Sequence, residues 1–200
     1  MSGSAIRWCV LGALWAAFTF WYTSIEGPLT KAEIEDYRSR LEAAGRGGAQ
    51  LEDFLRFMRE DDGGHFVMVN VIDNAPVGSE ENLGRYMAHM WPALLSRACH
   101  PIFAGSAIAE AMDLSGIQQA DGGAGVWDTG ALMRYRSRRD LLDIATDPTF
   151  EEPHEYKMLG LTKTIAFPVK PLIHFGDPRF LLAMLASLLG LLADRVLRRA

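Results

Sequence analysis

Residues His65–Asp73 read HFVMVNVID, and the run Phe66–Ile72 within them decides the fold. β-Branched and aromatic side chains fill it, which is the composition of a strand. They occupy odd and even positions alike, so both faces of the strand need cover and its place is the middle of a sheet. Asn70 is the single polar interruption. Asp61-Asp62-Gly63-Gly64 marks the turn before it.

Downstream, Leu83, Tyr86, Met87, Met90, Leu94 and Leu95 recur at helical spacing, which predicts a helix over Ser79–Arg97 that Pro92 kinks or breaks. Ile102–Ala111 reads as a second strand, rich in small residues. A loop over 113–125 with Gly122, Gly123 and Gly125 leads to a third strand, Val126–Tyr135. Ser137 caps a helix that runs to Thr146, with Asp140 completing the cap, and Asp147-Pro148 stops it. A short helix over Phe150–Leu159 precedes a fourth strand, Leu161–Val169. The order β-α-β-β-α-β is the ferredoxin-like plan of an α+β domain, with helices on one face of an antiparallel sheet. Strands apolar on both faces require cover for the second face too, and a second copy of the domain is the simplest cover, giving a homodimer.

Upstream, Thr30 and Glu33 form a capping box for a helix over Lys31–Ala44 that Gly45 ends. A second helix over Leu51–Arg59 carries Phe54, Leu55 and Met58. Together they read as a neck. The chain ends differ from everything between them. Trp8–Ile25, WCVLGALWAAFTFWYTSI, has no charged residue and is close to the roughly 20 apolar residues that cross a bilayer. Trp8 and the Trp21-Tyr22 pair stand at its edges, where interfacial aromatics belong. A cleaved signal peptide is the rival reading, but the run is long and no A-x-A site follows it. Phe180–Ala193, FLLAMLASLLGLLA, reads either as a second span, if it continues to Leu197 past Asp194 and Arg195, or as a helix lying in the membrane plane. Gly12, Ala13, Ala16 and Ala17 on one run, with Ala183, Ala186, Ser187 and Gly190 on the other, suit close helix approach.

Residues 26–179 hold 16 basic against 24 acidic side chains, a net −8, whereas Arg7, Arg195, Arg198 and Arg199 tip the ends. By the positive-inside rule both termini are cytoplasmic and the acidic middle faces outward, while Lys170 and Arg179, which also flank the second span, support the reverse. The expected location is the cell inner membrane with a periplasmic domain. The expected organisation is an anchor at 1–28, a helical neck at 29–62, the α+β domain at 63–170 and a second membrane helix at 177–200. With 22% charged and 49% hydrophobic residues the chain is no disordered segment. Without a basic excess it is no nucleic-acid binder. Cys9 and Cys99 are too few and too far apart for a disulfide framework.

The stretches HFVMVNVID, YMAHMWPALLSRACHPIFAG and VWDTGALMRYRSRRDLLDIATDPTFEEPHEYKMLGLTKTIAFPV resemble the dimeric α/β-barrel superfamily, in its branch of small domains of uncharacterised function. The resemblance spans Gly64–Val169. It implies the ferredoxin-like fold and a dimer. Relatives in the superfamily range from monooxygenases and isomerases to plain binding modules. His65 departs from a usual Pro, and His154-Glu155-Tyr156-Lys157 from a usual His-Arg pair.

Asn70, Tyr86, His89, Trp127 and Arg134 are the candidate pocket residues. A buried amide such as Asn70 needs partners, from a ligand or from its own chain. Tyr86 and His89, three apart on a helix, share a face, and an imidazole titrates near neutral pH. Trp127 is core, dimer contact or ligand platform. Arg134 stands with Arg136, Arg138 and Arg139 in a cluster that suits an anion or an acidic partner, or else a solvated strand end. Asp128 and Arg134 fall on one strand face, about 20 Å apart. No histidine pair has metal-ligand spacing, and neither a phosphate loop, a nucleophile elbow nor a dinucleotide motif is present, so no metal and no cofactor are expected. Two functions fit. One is a membrane-anchored interaction or accessory subunit, with the bilayer and membrane-complex subunits as partners. The other is a small-molecule enzyme, monooxygenase- or isomerase-like, acting on a hydrophobic or quinone-like substrate.

Overall fold

The computed structural model describes residues 3–113, 115 and 125–197, so Gly122, Gly123, Arg198 and Arg199 of the sequence reading lie outside the described residues. The chain divides into two units, Glu26–Lys170 and Met1–Ile25 with Pro171–Ala200.

The larger unit is a mixed α+β structure. Strands β1 (Phe66–Asn74), β2 (His100–Ser106), β3 (Thr129–Tyr135) and β4 (Leu161–Val169) lie in the order β2-β3-β1-β4, and every neighbouring pair is antiparallel. β1 is flanked on both edges, as its two-sided apolar pattern requires. Three helices accompany the sheet: α4 (Ser79–Ser96), α5 (Arg138–Ala145) and α6 (Glu151–Leu159). Phe66, Met68, Met133 and Tyr135 point to the helix side and pack with Met90, Leu94, Cys99 and Ile144. Phe66 stacks on Tyr135 with ring centroids 5.2 Å apart. Pro92 neither breaks nor ends α4, which runs through it. The proline forgoes one backbone donor, and Met90 and Leu94 on either side of it are both buried in the core.

The β2–β3 connection differs from the sequence reading at both of its ends. β2 stops at Ser106 rather than Ala111, and β3 starts at Thr129, which leaves Trp127 and Asp128 before the strand. Asp128 is tied there by hydrogen bonds. Its N–H donates to the Ile72 carbonyl at 2.9 Å, its carbonyl accepts from Ala107 N–H at 2.7 Å, and its carboxylate accepts from Asn74 N–H at 2.7 Å. The expected strand face shared by Asp128 and Arg134 is therefore absent.

Helices α2 (Lys31–Ala43) and α3 (Gly48–Arg59) precede the sheet. The capping box forms: Thr30 N–H donates to the Glu33 carboxylate at 2.7 Å, and Thr30 Oγ1 accepts from Glu33 N–H at 3.3 Å. Gly45, at φ +75°, takes the left-handed conformation that lets the chain reverse into α3. Tyr37, Leu41, Leu51, Leu55 and Met58 of this hairpin bury Leu142 of α5. The two helices expected as a neck thus share a core with α5.

The smaller unit is a pair of helices, α1 (Gly3–Tyr22) and α7 (Pro178–Leu197), each of 20 residues and with mean hydropathy 1.3 and 2.0. At 1.5 Å per residue each is about 30 Å long, the thickness of a bilayer's hydrocarbon core. A core helix of a soluble protein would be enclosed by other elements, but almost nothing of these two is. They run antiparallel. At one end the Asp194 carboxylate accepts from Ser4 Oγ at 2.8 Å and Trp8 Nε1 at 3.1 Å and forms an ion pair with Arg7. At the other, Trp15 Nε1 donates to the Arg179 carbonyl at 2.8 Å, and the Arg179 guanidinium donates to Thr23 Oγ1 at 3.0 Å. Close approach comes from an indole against a glycine: a Cβ on Gly190 would fall 2.7 Å from the Trp8 ring.

Candidate functional site

The sheet has one face toward α4, α5 and α6 and one away from them. Because side chains alternate along a strand, the neighbours of Met68 and Met133 point to the second face. Register then assembles that face in rows. Val69 lies between Leu132 and Phe167, Leu132 pairs with Phe103, and Val71 lies between Gly130 and Ile165. Phe103, Ile165 and Phe167 are each about half exposed (56%, 48% and 46%). Gly130 leaves a hollow, since nothing lies within 4 Å of where its Cβ would stand, while the Phe103 ring leans over Gly105. The result is a contiguous apolar surface drawn from all four strands, of the kind soluble monomers rarely leave bare.

Arg134 closes one end of this face. It pairs in register with Val67 and His100, is 1% exposed, and donates from Nη1 to the Ala98 carbonyl at 2.8 Å. The other arginines of its cluster find partners inside the domain. Arg136 binds Asp140 through two contacts of 3.0 and 2.6 Å, and Ser137 caps α5 beside them. Arg138 donates to the Phe57 carbonyl, lies over the Phe57 ring and reaches Asp61 at 3.4 Å. Arg139 joins Glu33 at 2.8 Å and Glu26 at 3.0 Å. Their acidic partners are the protein's own, and Arg138 and Arg139 tie the α2–α3 region to α5. Arg139 and the Thr30 amide hold the Glu33 carboxyl down to about 2.

The five candidate pocket residues are distributed over several places. Asn70 points to the helix side and donates from Nδ2 to the Met68 carbonyl at 3.1 Å. Tyr86 packs against the core on that side, where burial raises its phenol above the ordinary range. His89 meets the Phe150 ring edge-on, with centroids 4.9 Å apart. Trp127, ahead of β3, carries the Lys163 ammonium 4.6 Å from its ring centroid. Arg134 belongs to the opposite face. A cleft of about 150 Å³ lies elsewhere, lined by Phe57, His65, Phe66, Arg138 and Lys170 among others. Sequence reasoning passed over Lys157, whose ammonium stands 5.9 Å from the Tyr86 ring centroid and whose pKa burial lowers. It passed over Phe103, Ile165 and Phe167 as surface residues, although the strand pattern had implied a second apolar face. Among the described residues no group of three or more His, Cys, Asp or Glu is placed to hold a metal.

Comparison with solved structures finds the same kind of sheet elsewhere. A Rhodopseudomonas palustris protein of unknown function is similar at TM-score 0.50 and 18% identity, over 64% of this chain and 97% of its own. An uncharacterised NIPSNAP-like domain protein from Burkholderia xenovorans aligns at TM-score 0.36 and 13% identity, over 57% of this chain and 90% of its own. The fold is that of a small α/β domain. No family model and no curated protein matches the chain.

Proposed function

We propose that this protein is a membrane-anchored interaction or accessory subunit. Its sheet has the ferredoxin-like arrangement, and the open face formed by Val69, Phe103, Leu132, Ile165 and Phe167 is where a second copy seats, making a homodimer of the dimeric α/β-barrel kind. The observation that carries this reading is that contiguous apolar face, half exposed and free of the helices that cover the other side. The anchor is the α1–α7 pair. Arg7 and Arg195 sit at one end of it, so the positive-inside rule assigns that end to the cytoplasm and the acidic unit to the periplasmic side of the inner membrane.

Gentle detergent extraction of the full chain followed by native mass spectrometry tests the reading. The expected species is a dimer, alone or with other membrane subunits. A bare monomer would overturn it. A monomer or dimer carrying a discrete small-molecule mass would favour the alternative, an enzyme acting on a hydrophobic or quinone-like substrate.

A further inference from the structure

Residues 171–177, PLIHFGD, lead into α7 and belong to the same unit as the two apolar helices. Their side chains are arranged inside out for a loop in water. Leu172 is 97% exposed, Phe175 89% and Ile173 72%, whereas His174, the polar member between them, is half-buried with its Nδ1 enclosed and lacking a hydrogen-bond partner. Single exposed apolar residues are ordinary, but three within four positions, with the imidazole turned inward, form a patch that water does not favour.

The surroundings identify the medium that does. Just beyond, Asp177 and Arg179 form an ion pair, and the Arg179 guanidinium lies 5.6 Å from the Tyr22 ring centroid, near the 42% exposed Trp21. Amphipathic aromatics beside a guanidinium are the composition of a membrane–water boundary. The headgroup layer on each side of a bilayer is about 5–8 Å deep. Phe175 is three residues from Pro178, where α7 begins, and three residues of chain reach at most about 10 Å. We infer that Leu172, Ile173 and Phe175 insert into the headgroup–acyl boundary of the bilayer, making residues 171–177 a lipid-bound foot at the entrance to the second span. The inference rests on the reading of α1 and α7 as membrane spans.

Depth-dependent fluorescence quenching tests it. The full chain, with Cys9→Ala and an environment-sensitive fluorophore on Phe175→Cys or, separately, on Leu185→Cys, is reconstituted in phosphatidylcholine–phosphatidylglycerol vesicles. Cys99 is fully buried and its thiol is pushed up to about 11 by that burial, so it stays unlabelled at neutral pH. The expected result is that the Phe175 label is quenched roughly twofold more by lipids spin-labelled near the headgroup than by lipids labelled deep in the tail, with the opposite order for the Leu185 label. A Phe175 label quenched by aqueous iodide and not by lipid overturns the foot while the Leu185 label upholds the spans. A Phe175 label shielded from both quenchers places the segment against protein and also overturns it. A Leu185 label unresponsive to lipid overturns the spans and the foot together.

Discussion

The hydroxyl of Tyr37 donates to the carboxylate of Asp143 at 2.6 Å, joining α2 to α5 across 106 residues of sequence. It is one of several polar ties that make the α2–α3 hairpin part of the larger unit. Tyr37→Phe keeps the buried ring and removes only the bond, so a loss of about 1–2 kcal/mol is expected. Leu41→Ala, at a position 1% exposed in the same core, should cost about 2–5 kcal/mol. Urea unfolding of the full chain in detergent, followed by helical circular dichroism, measures both. Equal effects would mean that the hairpin is held by the polar tie rather than by its apolar face.

Glu33 predicts an acid-dependent loss of stability. Its hydrogen bonds from Arg139 and Thr30 lower its carboxyl from 4.5 to about 2. A group depressed in the folded state stabilises above its unfolded pKa and loses that contribution as pH falls through the folded value. The contribution is therefore complete above about pH 5 and fades between 4.5 and 2. Glu33→Gln should lower the urea midpoint at pH 7, and its difference from wild type should shrink progressively as pH falls toward 2. A difference independent of pH would show that the ion pair with Arg139 contributes nothing.

Ile165→Asp and Phe167→Asp place charge on the open sheet face. Both side chains are nearly half exposed in the single chain, so monomer stability should change by about 0.5 kcal/mol or less. In a dimer that buries this face the charges lose their hydration, and association should weaken at least tenfold, about 1.4 kcal/mol. Sedimentation of the detergent-solubilised variants reads this directly. A dimer that survives both substitutions uses another surface.

Gly190 and Gly12 form a matched test of the helix pair. A side chain at Gly190 meets the Trp8 ring at 2.7 Å, whereas one at Gly12 meets nothing within 4 Å. Gly190→Val should part α1 from α7 and slow migration in SDS electrophoresis, where paired helices run as a more compact species. Gly12→Val should migrate as wild type. The same mobility for both would mean that the Trp8 contact does not hold the pair.

The elements were legible because their signals are local. β4 spans Leu161–Val169 as read, α2 starts at its Thr30–Glu33 box, and α5 starts beside Ser137. The strand ends were less so. Trp127 and Asp128 carry strand-like neighbours, yet a hydrogen bond to the Ile72 carbonyl and others from the Asn74 and Ala107 amides claim Asp128 for the turn before β3. The candidate pocket was the least legible part, because Asn70 and Arg134 lie on adjacent strands but present opposite faces and stand three register positions apart.

Two apolar ends, an acidic middle and a β1 that needs cover on both faces follow from the sequence by itself, since hydropathy period and charge are properties of neighbours along the chain. Only the tertiary structure decided that Asp194 pairs with Arg7, that Trp8 fills the space over Gly190, and that three arginines bind the domain's own Asp61, Glu26, Glu33 and Asp140. Charge and shape select partners by distance in space, and strand register and helix docking bring residues more than 100 positions apart within reach of one another.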